Sequence, residues 1–325
     1  MLAGRIIKKG HIELVDLPEP RLSPARSGAP GEIIFQPEVT CLCGSDLPYF
    51  CNNQPKYPLK DGLSLHEMVG TVIETSGSRF RRGDKVLAVP DGQVGLFERF
   101  AMGEERVIPL DPRKPPEAAM LAQPLGTVIF AVKKLQQVID QDVVVVGQGP
   151  MGQIWCSVLR NLGAREIIAI DRLESRLMRS HEFGATATVN SSKEDPIAAV
   201  SRITGGALAD IVIEAVGHQN QALDLCIDLC RLNGRILFFG MPEEKLHEVR
   251  WLDLLRKNIT VHTSVNPDFK RDFPLAMRWI SEGRIDLSPL VTHRFELRDI
   301  QKAFETFRDK TDGALKVVVR FPSAG

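Results

Sequence analysis

From residue 142 onward the chain repeats one texture, and that repetition limits its fold more than any other feature. Apolar runs VVVVG (143–147), EIIAI (166–170), ATATV (185–189), DIVIEA (210–215), GRILFFG (234–240) and NITVHT (258–263) recur about every 20–24 residues, with amphipathic segments between most of them. Strands buried on both faces read as continuous apolar runs instead of alternating ones. Six such strands joined by helices predict an α/β doubly wound parallel sheet. The repetition belongs to that architecture and not to a solenoid.

The first of these strands runs into a glycine turn. Residues 143–152 read VVVVGQGPMG, so Gly147, Gly149 and Gly152 form G-x-G-x-x-G, with Pro150 and Met151 opening the next helix. The first glycine allows the tight turn, the second lets backbone approach a pyrophosphate, and the third lets helix and strand pack closely. Such a pattern is weak alone. Here it follows a strand, opens a helix, and precedes Asp171, which ends the next strand 19 residues after Gly152. That context predicts a dinucleotide site, with Asp171 accepting hydrogen bonds from the adenosine ribose and repelling a 2′-phosphate. NAD is therefore expected over NADP, with Arg172 softening the discrimination by offering a cation. The plainer reading of Asp171 is a cap on the helix that follows.

The rest of the chain is organised differently. Residues 1–110 are rich in Gly and Pro, and GEIIFQPEV, MVGTVIET, DKVLAVP and FERFAM read as strands between turns. The segment 23–32, SPARSGAPGE, reads as a loop. A helix is expected from Pro116, broken or kinked at Pro124. The segments after residue 266 are too short for their own core, so they are expected to rejoin the first domain. The division predicted is a mostly-β catalytic domain of residues 1–124 and 267–325, with a cofactor domain of residues 125–266 inserted.

Charge and cysteine content exclude several classes. Lys plus Arg and Asp plus Glu are both 41, which leaves no basic excess for nucleic acid or an anionic membrane. No apolar run is read as reaching the about 20 residues of a membrane span. The opening MLAGRIIKKGHIELVD turns polar too soon for a secretory signal. Six cysteines in 325 residues do not look like a disulfide framework, so a reduced, cytoplasmic protein is expected.

Cys43-Gly44-Ser45-Asp46 stands 23 residues before the His66-Glu67 pair. Thiolate, imidazole and carboxylate are the ligand types of an open catalytic zinc site. With TCLCGSD (40–46), LHEMVG (65–70), RRGDKVLA (81–88), AQPLGTVIFAV (122–132), the glycine turn and GALKVVV (313–319), the chain resembles the medium-chain, zinc-dependent alcohol and polyol dehydrogenases nearly end to end. Within that family it resembles the sorbitol and threonine dehydrogenases. The resemblance implies a GroES-like catalytic domain beside a Rossmann domain. It implies Cys43 and His66 as zinc ligands and Glu67 as an alternating ligand or a carboxylate behind them. It further implies Ser45 as the hydroxyl taking the substrate's proton, Asp46 as the carboxylate orienting His66, Thr127 beside the nicotinamide, and Lys316 as a cation on the pyrophosphate.

The departures from the family pattern are equally specific. Its third zinc ligand is Cys or Glu, usually in an E-P-L run, whereas here the run is Gln123-Pro124-Leu125. Gln offers a neutral oxygen, and three arrangements follow: Glu67 swings in to coordinate, zinc stays with Gln123 or water, or zinc is bound weakly or not at all. Leu65 replaces the usual glycine before the zinc histidine, and Pro48 replaces a relay histidine. Residues 85–110 contain no cysteine, so one catalytic zinc and no structural zinc is expected.

Other candidates have ordinary readings. Cys41 and Cys51 read as packing, and Cys226 and Cys230, with Leu225 and Leu229, as one helical turn of core. Tyr49, Phe50 and Trp251 are candidate pocket walls. The function expected is NAD-linked interconversion of a secondary alcohol (polyol, sugar, cyclitol or amino alcohol) and its ketone. A zinc-free quinone or enoyl reductase and a non-catalytic nucleotide-binding relative are the alternatives. A homodimer or homotetramer is expected from the resemblance, pairing through the edge strand near 258–263.

Overall fold

The alternating half folds as its runs of valine and isoleucine require. In a computed structural model, residues 1–23, 31–217, 222–242 and 248–322 are described. The chain divides into two compact units, Met1–Gln123 with Phe269–Gly325, and Pro124–Asp268.

The first unit opens with β1 (Leu2–Lys8) and β2 (His11–Asp16), an antiparallel pair. Then come β3 (Glu32–Cys41), α1 (Leu47–Cys51), β4 (Glu67–Thr75), β5 (Lys85–Ala88), β6 (Phe100–Gly103), β7 (Val107–Pro109) and α2 (Pro116–Met120). All four strands expected among the glycines and prolines are present. Of the loop expected over 23–32, residues 24–30 lie outside the described residues.

The second unit is built from α3 (Ala122–Val132, its first two residues in the other unit), β8 (Asp142–Val146), α4 (Pro150–Asn161), β9 (Glu166–Asp171), α5 (Glu174–Ser180), β10 (Ala187–Asn190), α6 (Pro196–Ile203), β11 (Ala209–Glu214), α7 (Ala222–Leu229), β12 (Cys230–Phe238), α8 (Trp251–Arg256) and β13 (Thr260–Thr263). Its six strands form one parallel sheet in the order β10-β9-β8-β11-β12-β13. This is the doubly wound order, reversing beside β8.

The chain then returns to the first unit with α9 (Asp272–Ser281), β14 (Val291–Glu296), α10 (Ile300–Asp309) and β15 (Lys316–Arg320). The main sheet of that unit runs β14-β15-β3-β4-β5-β7, with β6 also on β3. Helix α10 buries Ile300, Ala303, Phe304 and Phe307, one stripe at helical spacing, in the core that also holds Phe35, Leu42 and Phe50.

Three sequence expectations need correction. The helix expected from Pro116 breaks at Leu121, and Pro124 sits in the first turn of α3, where a missing N–H costs nothing. The stretch Pro116–Leu135 is long and apolar enough to cross a membrane by length and composition, which the sequence reading missed; 72% of its window is buried within the fold, as a core segment requires. Cys226 ends up buried in α7, but Cys230 begins β12, so the pair does not share one helix.

Candidate metal and dinucleotide sites

Three neighbouring strands assemble the first site. In the β3–β4 ladder Cys41 stands opposite Glu67, and in the β15–β3 ladder Val318 stands opposite Cys41. Just past Cys41 the chain turns, and Cys43 leads a short 3₁₀ turn of Gly44–Asp46. Cys43 Sγ, a ring nitrogen of His66 and a carboxylate oxygen of Glu67 all lie within 4.8 Å of one another.

Asp46 is the brace of this turn. It is fully buried, and its Oδ2 accepts from the Cys43 N–H at 2.7 Å. Its Oδ1 accepts from the Ser64 hydroxyl at 2.8 Å and the Leu65 N–H at 2.9 Å. One carboxylate thus ties together the two segments that carry Cys43 and His66. His66 Nδ1 lies 3.9 Å from Asp46 Oδ1, beyond hydrogen-bond reach, so Asp46 positions the ligand backbone more directly than the imidazole. Leu65 adopts φ 69°, the left-handed region its glycine counterpart would reach freely. A branched side chain pays about 1–2 kcal/mol there, and its full burial in the core offsets that strain.

Behind these groups lies a buried triad. Lys316 Nζ donates to Glu67 Oε2 at 2.5 Å, and Cys41 Sγ donates to the same oxygen at 2.8 Å. Glu67 and Lys316 are each 1% exposed. Burial opposes ionisation of Glu67, but the charges of Lys316 and His66, with the hydrogen bonds from Cys41 and Lys316, hold its carboxyl below the usual range. Burial likewise disfavours the Lys316 ammonium, and the acidic groups Cys41, Glu67 and Cys43 raise its pKa in spite of it. The Cys41 thiol is pushed well up, by burial first and Glu67 second. Burial would lower His66 too, yet its hydrogen bond with Cys43 and the charges of Cys43, Asp46 and Glu67 lift it to about 9.

The donor set fits a zinc ion. Thiolate, imidazole and carboxylate converge, and two buried polar atoms beside them, Ser45 Oγ and His66 Nδ1, have no hydrogen-bond partner. Gln123 is buried in the first turn of α3. Cys41, read from sequence as packing, belongs to the site through Glu67; the C-x-C spacing was its one signal. Phe50 is fully buried against Phe304, and Tyr49 packs on the same core. Trp251 is 70% exposed.

The second site lies in the other unit. Gly147 has φ 95°, and a Cβ on Gly152 would stand 1.9 Å from the Gly147 carbonyl oxygen, so both glycines are sterically required. Gly149 is the N-cap of α4, and Pro150 and Met151 open that helix. Asp171 Oδ2 accepts from the Gln148 N–H at 2.7 Å and Oδ1 from the Leu173 N–H at 2.9 Å. It therefore braces the glycine turn itself and is not the N-cap of α5, which is Leu173. Arg172 is exposed, whereas Arg176, unremarked in the sequence, lies 3.7 Å from Asp171. Thr127 is half-buried in α3.

A family model described as zinc-binding dehydrogenase matches residues 150–282. L-threonine 3-dehydrogenase of Bacillus velezensis is 25% identical over 312 residues, covering 85% of this chain and 88% of that protein. Sorbitol dehydrogenase 1 of Saccharomyces cerevisiae is 26% identical over 309 residues, covering 82% and 85%. The solved alcohol dehydrogenase TADH from Thermus sp. ATN1 matches with TM-score 0.88 and 25% identity over 98% of this chain and 99% of that one. Residues 150–282 are thus of the zinc-binding dehydrogenase type, and nearly the whole chain is similar to the zinc-type alcohol and polyol dehydrogenases of the medium-chain dehydrogenase/reductase superfamily. Within that family the parallel sheet is the Rossmann domain and the mostly-β unit the GroES-like one.

Proposed function

We propose that the chain is a zinc-dependent, NAD-linked oxidoreductase that interconverts a secondary alcohol and its ketone by hydride transfer, with a polyol, sugar, cyclitol or amino alcohol as substrate. The observation that carries this reading is the convergence of Cys43, His66 and Glu67 within 4.8 Å, beside an unpartnered Ser45 hydroxyl. Zinc, when bound, supplies a Lewis acid that polarises an alcohol or carbonyl oxygen. Cys43 and His66 hold it, with Glu67 or Gln123 completing the set. Asp46 fixes the spacing of the two ligand segments through their backbone. Ser45 Oγ takes the substrate's proton in oxidation and returns it in reduction. Lys316 serves the metal site by holding Glu67, which replaces the pyrophosphate contact implied by the resemblance. Gly147, Gly149 and Gly152 receive the pyrophosphate, Asp171 reads the adenosine ribose, and Thr127 stands beside the nicotinamide. The cofactor performs the hydride chemistry, and the protein supplies position and field.

The deciding measurement is zinc per chain in protein purified without added metal or chelator. About one zinc per chain, as expected of an open catalytic site, and its loss in Cys43→Ala support the reading. No zinc, with none regained on adding it back, overturns it in favour of a metal-free reductase.

We further propose a cytoplasmic homo-oligomer. Its six unpaired cysteines support the compartment. Strand β13 is an unprotected sheet edge, with Trp251, Leu252, Leu255, Val261 and Val265 exposed on and around it. Val261→Lys should release a monomer in analytical ultracentrifugation; an unchanged assembly would move the interface elsewhere.

A further inference from the structure

At the C-terminal edge of the parallel sheet, one carboxylate ties two loops together. Glu214, the last residue of β11, is fully buried. Its Oε1 accepts from the N–H groups of Val216 at 2.8 Å and Gly217 at 2.9 Å, and its Oε2 from Gly240 at 3.0 Å. Its backbone carbonyl also accepts from the N–H groups of Phe239 and Gly240, both at 3.0 Å. Strands β11 and β12 are already joined by their own ladder, so the side-chain bonds add nothing to the sheet. What they fix is the loop beyond each strand. The two loops touch at glycines: a Cβ on Gly240 would lie 2.4 Å from Gly217 N and 2.5 Å from Glu214 Oε2. The first loop also rests on the glycine turn, because a Cβ on Gly147 would lie 2.9 Å from Val216 Cγ2 and 3.0 Å from the Ala215 carbonyl carbon.

We propose that Glu214 is a positioning residue for the cofactor, holding residues 215–217 and 239–241 as the platform under the nicotinamide half of the dinucleotide. The inference rests on the dinucleotide reading above. Asp171 ends β9 on one side of β8, and β11 and β12 lie on the other. A dinucleotide with its pyrophosphate at the Gly147 turn and its adenosine ribose at Asp171 extends its remaining half over β11 and β12. Glu214 reaches the cofactor only through the backbone of the loops it holds.

A merely structural carboxylate would weaken the whole fold, and the test separates the two roles. NADH and AMP are titrated into the full-length protein by calorimetry, with thermal midpoints recorded alongside. Glu214→Gln keeps the size and one acceptor oxygen but sets an NH₂ group against a backbone N–H. Its Kd for NADH should rise about tenfold, the scale of one lost buried hydrogen bond, while its Kd for AMP stays close to the parent value. Gly240→Ala leaves the carboxylate intact, forces the two loops apart, and should show the same selective loss, which covers the case of Glu214→Gln failing to fold. Unchanged NADH affinity in both variants overturns the proposal, as does equal weakening of NADH and AMP. A parent protein that binds no NADH refutes the dinucleotide reading itself; a parent that binds normally while the variants match it refutes only the role of Glu214.

Discussion

Replacing Lys316 by methionine removes the cation hydrogen-bonded to the Glu67 carboxylate, in a site where both partners are 1% exposed. Breaking a buried pair by deleting one partner costs about 3–5 kcal/mol, because the other charge is left uncompensated. The carboxylate has an escape, which is to bind a proton. For a group of ordinary pKa about 4.3, neutralisation costs about 3.7 kcal/mol at pH 7 and about 1 kcal/mol at pH 5. The loss is therefore capped, and the cap depends on pH. In the parent the folded-state pKa of Glu67 is lowered, so its stabilisation is present above the unfolded value and lost only as pH falls through the folded one. In Lys316→Met the folded-state pKa is raised, so the deficit grows as pH rises from about 4.3 to the new value. Urea unfolding of metal-free protein at pH 5 and pH 7 measures both limits. The expected deficit is about 1 kcal/mol at pH 5 and about 3–4 kcal/mol at pH 7, and Lys316→Met with Glu67→Gln should recover most of it. A deficit that is equal at the two pH values, or a double variant worse than the single, refutes the reasoning.

Two further substitutions test other contacts. Asp171→Asn removes the negative charge beside Arg176 and should shift the NADH-to-NADPH affinity ratio toward NADPH by about tenfold; an unchanged ratio would reduce Asp171 to a brace for the glycine turn. At Glu117, burial opposes ionisation, but hydrogen bonds from Arg294 and Arg320 outweigh it and lower the pKa. Its contribution is thus present above the usual carboxylate range and lost as pH falls through the lowered value, so Glu117→Gln should cost about 1 kcal/mol at pH 7, discounted for the half-exposed arginines, and approach zero at pH 2 in the same unfolding assay.

The sequence was most legible where burial decides everything. The central valine- and isoleucine-rich runs, β8 and β11, are buried at every position and so covered on both faces, which leaves a run such as VVVVG no other stable use than a central strand. The glycine turn was legible for a related reason: a Cβ at Gly152 would collide with the Gly147 carbonyl, so the spacing of those residues follows from sterics alone. Legibility failed where partners come from distant parts of the chain. Lys316 and Glu67 are 249 residues apart, and only the antiparallel pairing of β15 and β4 on either side of β3 brings them together. Glu214 was invisible for another reason. Its partners are backbone N–H groups, which every residue carries, so no residue type marks them in advance.

That buried pair also alters the charge argument raised by Gln123. Replacing an acidic third ligand by a neutral amide would remove one negative charge from the centre, and Glu67 turning toward a bound metal would be the obvious way to return it. Yet Glu67 Oε2 is already held by Lys316, and with both groups out of water the two charges act as one neutral unit whichever oxygen faces the ion. Asp46 does not supply the missing charge through a metal bond either, since its two oxygens are engaged by the Cys43 and Leu65 N–H groups and the Ser64 hydroxyl. A dication, if held by the Cys43 thiolate and neutral His66 as proposed, would thus keep a net positive charge in either arrangement. Which oxygen fills the third position and what charge the centre carries are separate questions, and the Lys316–Glu67 pair answers the second without the first. On the proposed reading, a cationic centre would hold a negatively charged substrate oxygen more tightly than a neutral one, so Gln123 would favour proton loss from the substrate alcohol toward Ser45 instead of abolishing the chemistry.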